Sequence, residues 1–230
     1  MANEKKIRIM PKGPYEVSPG IPLKQAIIQP DERGAGESWS EGKEYPKQNE
    51  PYHLCRCGRS KNKPFCDGSH THVKFNDEEV ASKEPYDKRA KRYTGDTVDL
   101  LDLEELCTVA RFCDRGESVW TYAVASSQPG FEKEAIYQSC CCPGGRLTIQ
   151  RKDGEKIEPD LPQEISPIED PAENHRGPLW VKGGITVEGA DGETYEVRNR
   201  VALCRCGESS NMPFCDASHL QCKHMEGLDD

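Results

Sequence analysis

The sixteen residues CRCGRSKNKPFCDGSH occupy positions 55–70, and CRCGESSNMPFCDASH returns at positions 204–219. Twelve of the sixteen positions are identical, and no gap is needed to align them. A self-match of that length organises the chain as two equivalent units. Upstream, GPYEVSPGI at 13–21 is echoed by GPLWVKGGI at 177–185, in the same order relative to the longer element. The first copy has the longer connection between its two elements, carrying the polar segment 31–50.

Four side chains in each copy carry the chemistry. Cys55 and Cys57 are one residue apart and run into Gly58, so both thiolates can converge on a single metal atom. Cys66 follows after a loop containing Ser60, Asn62 and Pro64. Asp67 is placed to cap a short helix, which sets His70 four residues past Cys66 on the same face. Cys66 and His70 can therefore hold a second metal atom. Cys204, Cys206, Cys215 and His219 repeat the arrangement. Four such donors also suit one zinc ion, although zinc knuckles usually separate paired cysteines by two to four residues. Spacing alone leaves zinc and a two-iron site both open.

The chain has 230 residues, of which 34% are hydrophobic and 31% charged, with 20 glycines and 17 prolines. That is a thin supply for one continuous core, and small loop-rich modules with added support are expected. Twelve cysteines are the candidates for that support. The N-terminus, MANEKKIRIMPKGPYEV, has no apolar h-region, and no stretch approaches the length of a membrane span. A reduced, cytoplasmic setting without a membrane anchor is expected, where clustered cysteines bind metal rather than form disulfides. A net charge of −9 argues against nucleic acid as a main partner. The run 88–92 reads as a solvated basic face.

Strand signals are clear in the repeat halves, at 6–10, 15–17, 179–187 and 193–203. Between the halves, Leu100, Leu103, Leu106, Val109 and Ala110 recur at helical spacing, with Asp99 available as a cap. Residues 119–125 and 146–150 read as strands, 132–141 as a short helix before Pro143, and 153–174 as a linker. The segmentation is 1–76, 77–160 and 161–230. The fold class is α+β, mainly β.

Both sixteen-residue segments resemble the CDGSH, or NEET, family, whose pattern is Cys-x-Cys, a Ser or Thr, Pro, then Cys-Asp-Gly and a His ligand. The resemblance implies a 2Fe–2S cluster in each copy. Cys55 and Cys57 would hold one iron and Cys66 and His70 the other; Cys204 and Cys206, then Cys215 and His219, would do the same. Ala217 departs from the pattern, standing where Gly68 does in the first copy, and is expected to tune packing or potential. A tandem arrangement implies an intramolecular pseudo-dimer with a shared β cap. The middle segment resembles mono-cluster ferredoxins through Cys107, Cys113 and the Cys142–Pro143 pair. Ala110 stands where that family has a further cysteine, so Cys107, Cys113 and Cys142 would suit a 3Fe–4S cluster. Cys140 or Cys141 could complete a 4Fe–4S site instead. The alternative is a degenerate ferredoxin-like module whose cysteines are small buried residues. Cys222 and His224 read as incidental.

No nucleophile–base motif, phosphate loop or paired carboxylates is recognisable, so the chain is read as a carrier rather than an enzyme. The leading expectation is electron transfer or redox relay with a redox partner. Cluster transfer to an apo-acceptor, or redox or pH sensing, is the second class, and a structural zinc interaction module the third.

Overall fold

The structure is a computed structural model describing residues 5–228. The extreme ends of the two terminal segments, 1–4 and 229–230, lie outside the described residues. The first copy supplies β1 (Lys6–Ile9), β2 (Tyr15–Val17), β3 (Lys24–Pro30), β4 (Gly36–Glu44) and β5 (Tyr52–Leu54). The middle segment supplies α1 (Tyr86–Arg89), β6 (Lys91–Thr94), β7 (Val98–Asp102), α2 (Val119–Val124), α3 (Phe131–Cys140), β8 (Leu147–Arg151) and β9 (Lys156–Ile157). The second copy follows with β10 (Glu164–Asp170), β11 (His175–Lys182), β12 (Thr186–Glu188) and β13 (Arg200–Leu203). Mainly β with few helices, the fold is of the α+β class expected.

The two copies build their sheets out of each other. In the first sheet β1 pairs with β2 and β2 with β5, with Ile7 opposite Val17 and Tyr15 opposite Leu54. In the second, β10 pairs with β11 and β11 with β13, with Ile165 opposite Val181 and Leu179 opposite Leu203. These are the same registers at equivalent repeat positions. Each sheet is then extended by a parallel segment from the other copy: Val187 of β12 lies beside Ile7, and Leu23 bridges to Ile165. Beyond Leu23 the contact continues as β3 on β10, with β4 on the outer edge. Alternation puts Ile7, Val17, Leu54, Ile165, Leu179, Val181, Val187 and Leu203 into one buried core drawn from both copies. Burying such side chains stabilises each by about 1.5–3 kcal/mol, and neither copy retains this core alone.

The middle segment forms a third, antiparallel sheet, β6-β7-β8-β9, with α2 and α3 packed on it through Val98, Leu100, Val119, Ala123, Ala135, Leu147 and Ile149. It is fastened to the second copy by Arg200 of β13. That guanidinium donates to the carbonyls of Ser139 and Cys142 and pairs with Glu158 at 2.7 Å. No helix among the described residues is long and apolar enough to cross a membrane.

Several local expectations are corrected. The leucine run at 100–106 is a strand, β7, followed by a single 3-10 turn at Glu104–Leu106, not a helix. β7 is buried at every position, so no polar alternation marks it as a strand. Residues 119–124 are helical, although β-branched and aromatic residues favour a strand there. Ser118 accepts the Thr121 N–H as an N-cap, and Val119 and Ala123, four apart, share the buried face. The segment 153–174 is not a linker: it carries β9 and β10. Two of its carboxylates are buried against distant basic residues, Glu169 with Arg205 and Asp170 with Arg111. The strand expected over 179–187 breaks at Gly183 and Gly184, both at positive φ, and that expected over 193–203 is confined to β13.

Candidate metal centres

Each ligand loop leaves the last strand of its hairpin. β5 runs into Cys55 and β13 into Cys204, and the loop returns to the strand through Cys55 N–H to Pro64 O and Cys204 N–H to Pro213 O, both 2.8 Å. A serine ties each loop across, Ser60 Oγ donating to Phe65 O and Ser209 Oγ to Phe214 O. The expected donors meet in pairs. Cys55 and Cys57 Sγ are 3.8 Å apart, and Cys204 and Cys206 Sγ 3.4 Å. Cys66 Sγ lies 3.4 Å from His70 Nδ1, and Cys215 Sγ 3.5 Å from His219 Nδ1. Thiolates about 2.3 Å from one tetrahedral metal lie about 3.8 Å apart, so each pair has the span of two ligands on one atom. Among the described residues, no three His, Cys, Asp or Glu donors converge as a single-ion site.

Asp67 does not cap the short helix as a first-turn residue. It closes the loop instead, accepting Lys61 N–H on one oxygen and Ser69 N–H on the other, and these bonds hold its carboxyl well below the usual range. Asp216 accepts from Ser210 and Ser218 in the same way. The 3-10 turns Ser69–Thr71 and Ser218–Gln221 then bring each histidine back over its cysteine. Gly68 and Ala217 N–H donate to Cys66 and Cys215 Sγ, both at 3.4 Å.

Electrostatics separates the members of each pair. The hydrogen bond with Cys57 lowers the Cys55 thiol to about 6, and that with Cys206 lowers Cys204 to about 7, helped by backbone N–H groups of the loop. Their partners are pushed up by the same bonds and by burial. Within each pair the first cysteine is therefore the easier to ionise. Burial raises Cys66 and, more strongly, Cys215, and lowers His219 to about 4.

The two loops touch back to back. Gly58 and Gly207 both sit at positive φ, and a Cβ on Gly207 would fall 2.8 Å from Cys57 O, one on Gly58 2.7 Å from Cys206 O. Only glycine permits this approach. His224, read from the sequence as incidental, donates from Nε2 to Cys206 O at 2.9 Å. Cys222 also packs into the cluster of Cys204, Cys206 and Met212.

The third set shares one cavity without converging as a single-ion site. Cys107, Cys113 and Cys142 line one cavity of about 190 Å³ with Asp114, Trp120 and Arg146, whereas Cys140 and Cys141 do not line it. The 107–113 loop curls around it by placing Val109 and Arg111 at positive φ. Burial, with Asp114 and the neighbouring cysteines, raises the Cys113 thiol to about 12 against the opposing charge of Arg146.

Sequence reasoning passed over the groups behind the ligands. Tyr15 donates to Cys204 O at 2.7 Å from the other copy, and its repeat counterpart is Leu179. The available signal was a hydroxyl at a position the repeat otherwise fills with an apolar side chain. Arg205 pairs with Glu169 at 2.9 Å with both buried; the guanidinium of its counterpart Arg56, a residue 1% exposed, has no hydrogen-bond partner among the described residues.

Residues 12–71 and 176–220 match the family described as iron-binding zinc finger CDGSH type. Both regions belong to that family, and the chain carries its domain in tandem. CDGSH domains bind iron–sulfur clusters, and an iron-binding role follows for the two regions. No curated protein and no solved structure matches the chain.

Proposed function

We propose that the chain is an electron carrier holding two 2Fe–2S clusters, each by three cysteines and one histidine. Cys55 with Cys57 would hold one iron and Cys66 with His70 the other; Cys204 with Cys206 and Cys215 with His219 would do the same. The observation that carries the reading is the division of donors into pairs of 3.4–3.8 Å with no threefold convergence among the described residues. Two metal atoms per site suit that division better than one zinc. When bound, such clusters supply reversible one-electron transfer, and replacing a thiolate with imidazole raises the potential.

The exchanged strands support a pseudo-dimer within a single chain, with the paired sheets as its shared β cap. The cavity of Cys107, Cys113 and Cys142 supports a ferredoxin-like insert with a third cluster. Three thiolates suit 3Fe–4S, and Asp114 is the one carboxylate on the wall to complete 4Fe–4S. Cys107 lies near enough to Cys215 for its charge to raise that thiol, and the two CDGSH loops touch at Gly58 and Gly207. These two contacts support a relay order of middle cavity, C-terminal site and N-terminal site. All twelve cysteines are free thiols, which suits a reducing compartment such as the cytoplasm. A second reading, transfer of a cluster to an apo-acceptor or redox sensing, is favoured by the partial exposure of Cys66 and His70.

Iron, zinc and acid-labile sulfide content on anaerobically purified protein, with an absorption spectrum, tests the proposal. About four irons per chain are expected for two clusters, and about seven or eight with the third. Stoichiometric zinc without sulfide or colour overturns it in favour of a zinc-bound interaction module.

A further inference from the structure

The loop from Cys57 to Cys66 reads CGRSKNKPFC, and its counterpart from Cys206 to Cys215 reads CGESSNMPFC. Three of the four differences in the sixteen-residue motif lie here, and all three put a cation in the first copy: Arg59 for Glu208, Lys61 for Ser210, Lys63 for Met212. In the fold these side chains join two others from the C-terminal half. Arg59, Lys61, Lys63, Arg176 and His224 line an open groove of about 420 Å³. It continues past Arg59 and His224 into a second hollow of about 430 Å³ that ends on Lys223. Among the described lining residues Glu208 is the one carboxylate, 3.6 Å from Arg59. Arg176 is held at the rim by the carbonyls of Glu226 and Leu228. Five permanent cations are thus gathered over the seam between the two ligand loops of a chain whose net charge is −9.

We propose that this groove is the docking surface for an acidic protein partner of the N-terminal site. The cations are spread along an open rim on exposed side chains, as Arg59, Lys61 and Lys223 are, rather than turned inward around a small anion. An extended nucleic acid would run off the collar onto the acidic remainder of the surface and be repelled there. A globular acidic partner meets only the collar. The opposed signs of the collar and the net charge of the body also orient it. The surface lies where exchange is needed: the loop starts at Cys57 and ends at Cys66, beside the partly exposed His70, and His224 reaches the Cys206 carbonyl from its floor. The choice of a redox partner rests on the function proposed above.

Calorimetric titration of the metal-loaded protein with poly-L-glutamate, over a salt series, tests the docking surface. Binding is expected at low salt and falls as salt rises. The double variant Lys61→Glu/Lys223→Glu should lose about tenfold or more in affinity, while Lys88→Glu/Lys133→Glu, exposed elsewhere and equal in charge change, should lose less than about twofold. Equal losses from both doubles, no binding at low salt, or tighter binding of single-stranded oligothymidylate overturns the proposal. Metal and sulfide assays on the same samples report separately on the clusters: selective glutamate binding by a zinc-loaded protein would keep the groove and sink the redox reading.

Discussion

His70 and His219 occupy the same position of the same motif, yet His70 is partly exposed and His219 is only 4% exposed. Cys66 and Cys215 differ in the same direction. His219 packs on β11 within reach of Asp170, His175 and Arg205, and the loop of the C-terminal site is also held from outside the repeat. Residues 76–81 lie across its loop, with Asn76 N–H bonded to Gly207 O and the Val80 and Ala81 N–H groups to Met212 O. Asn211 ties the same loop to Glu105 O of the middle segment. The N-terminal loop carries Lys61 and Lys63 instead and stays open. Ligand identity is a local property of the motif, whereas access to the ligands is set by what packs around each loop.

The largest expected effect tests the unequal arginines behind the two sites. Glu169 and Arg205 are almost fully buried and paired, so Glu169→Gln should leave the guanidinium without its counter-charge and cost about 3–5 kcal/mol. The Arg56 guanidinium lies over the faces of Phe75 and Tyr15, at 5.2 and 6.0 Å, without a hydrogen-bond partner among the described residues. Arg56→Met should change stability by less than about 1 kcal/mol, or increase it, because no partner is stranded. Chemical denaturation of both variants decides; a large loss from Arg56→Met would mean that the two arginines are equivalent after all.

Acid should separate the sites next. Protons compete with metal for an imidazole nitrogen, and burial lowers His219 from the ordinary 6.5 to about 4. In the metal-free chain the sign is fixed: the unfolded ring takes its proton near 6.5 and the folded ring only near 4. The neutral buried ring is therefore tolerated above 6.5, and stability is lost as pH falls from there towards 4. In the loaded protein the open site should bleach first as pH falls, giving two phases in the visible absorption. His70→Cys should abolish the fast phase and His219→Cys the slow one. The opposite assignment would mean that burial does not protect the ligand.

A smaller effect crosses between the copies. Tyr15→Phe removes the hydroxyl that reaches from the first copy to Cys204 O and should cost about 1 kcal/mol. Because the bond ends on the second copy, the faster metal loss that follows should appear at the C-terminal site. Loss at the N-terminal site alone would break the assignment of Tyr15 as a prop between copies.

The ligands and their pairing were legible because Cys-x-Cys and Cys-x3-His are short-range patterns that a turn can satisfy by itself. The strand exchange was not, since Ile7 meets Val187 across 180 residues of chain and nothing local marks either as a partner. The same limit explains 153–174. Glu158, Glu169 and Asp170 look like solvated linker charges until Arg200, Arg205 and Arg111 are placed beside them. Leu100, Leu103 and Leu106 failed in the other direction: a strand buried on both faces shows no alternation, and its continuation into a 3-10 turn mimics helical spacing.

The finest distinction between the sites is one methyl group. Gly68 and Ala217 both sit in the left-handed region, at φ 85° and 71°. A Cβ added at Gly68 would meet nothing within 4 Å, so Gly68→Ala should cost only the conformational term, about 1 kcal/mol. Ala217→Gly relieves that strain but frees the unfolded chain, so a gain of about 0.5 kcal/mol is expected. Opposite signs in denaturation midpoints, with unchanged slopes, would make the substitution a matter of backbone strain alone. A loss from Ala217→Gly would show instead that the methyl is packed, and that the closed site has adapted its own motif to the cover above it.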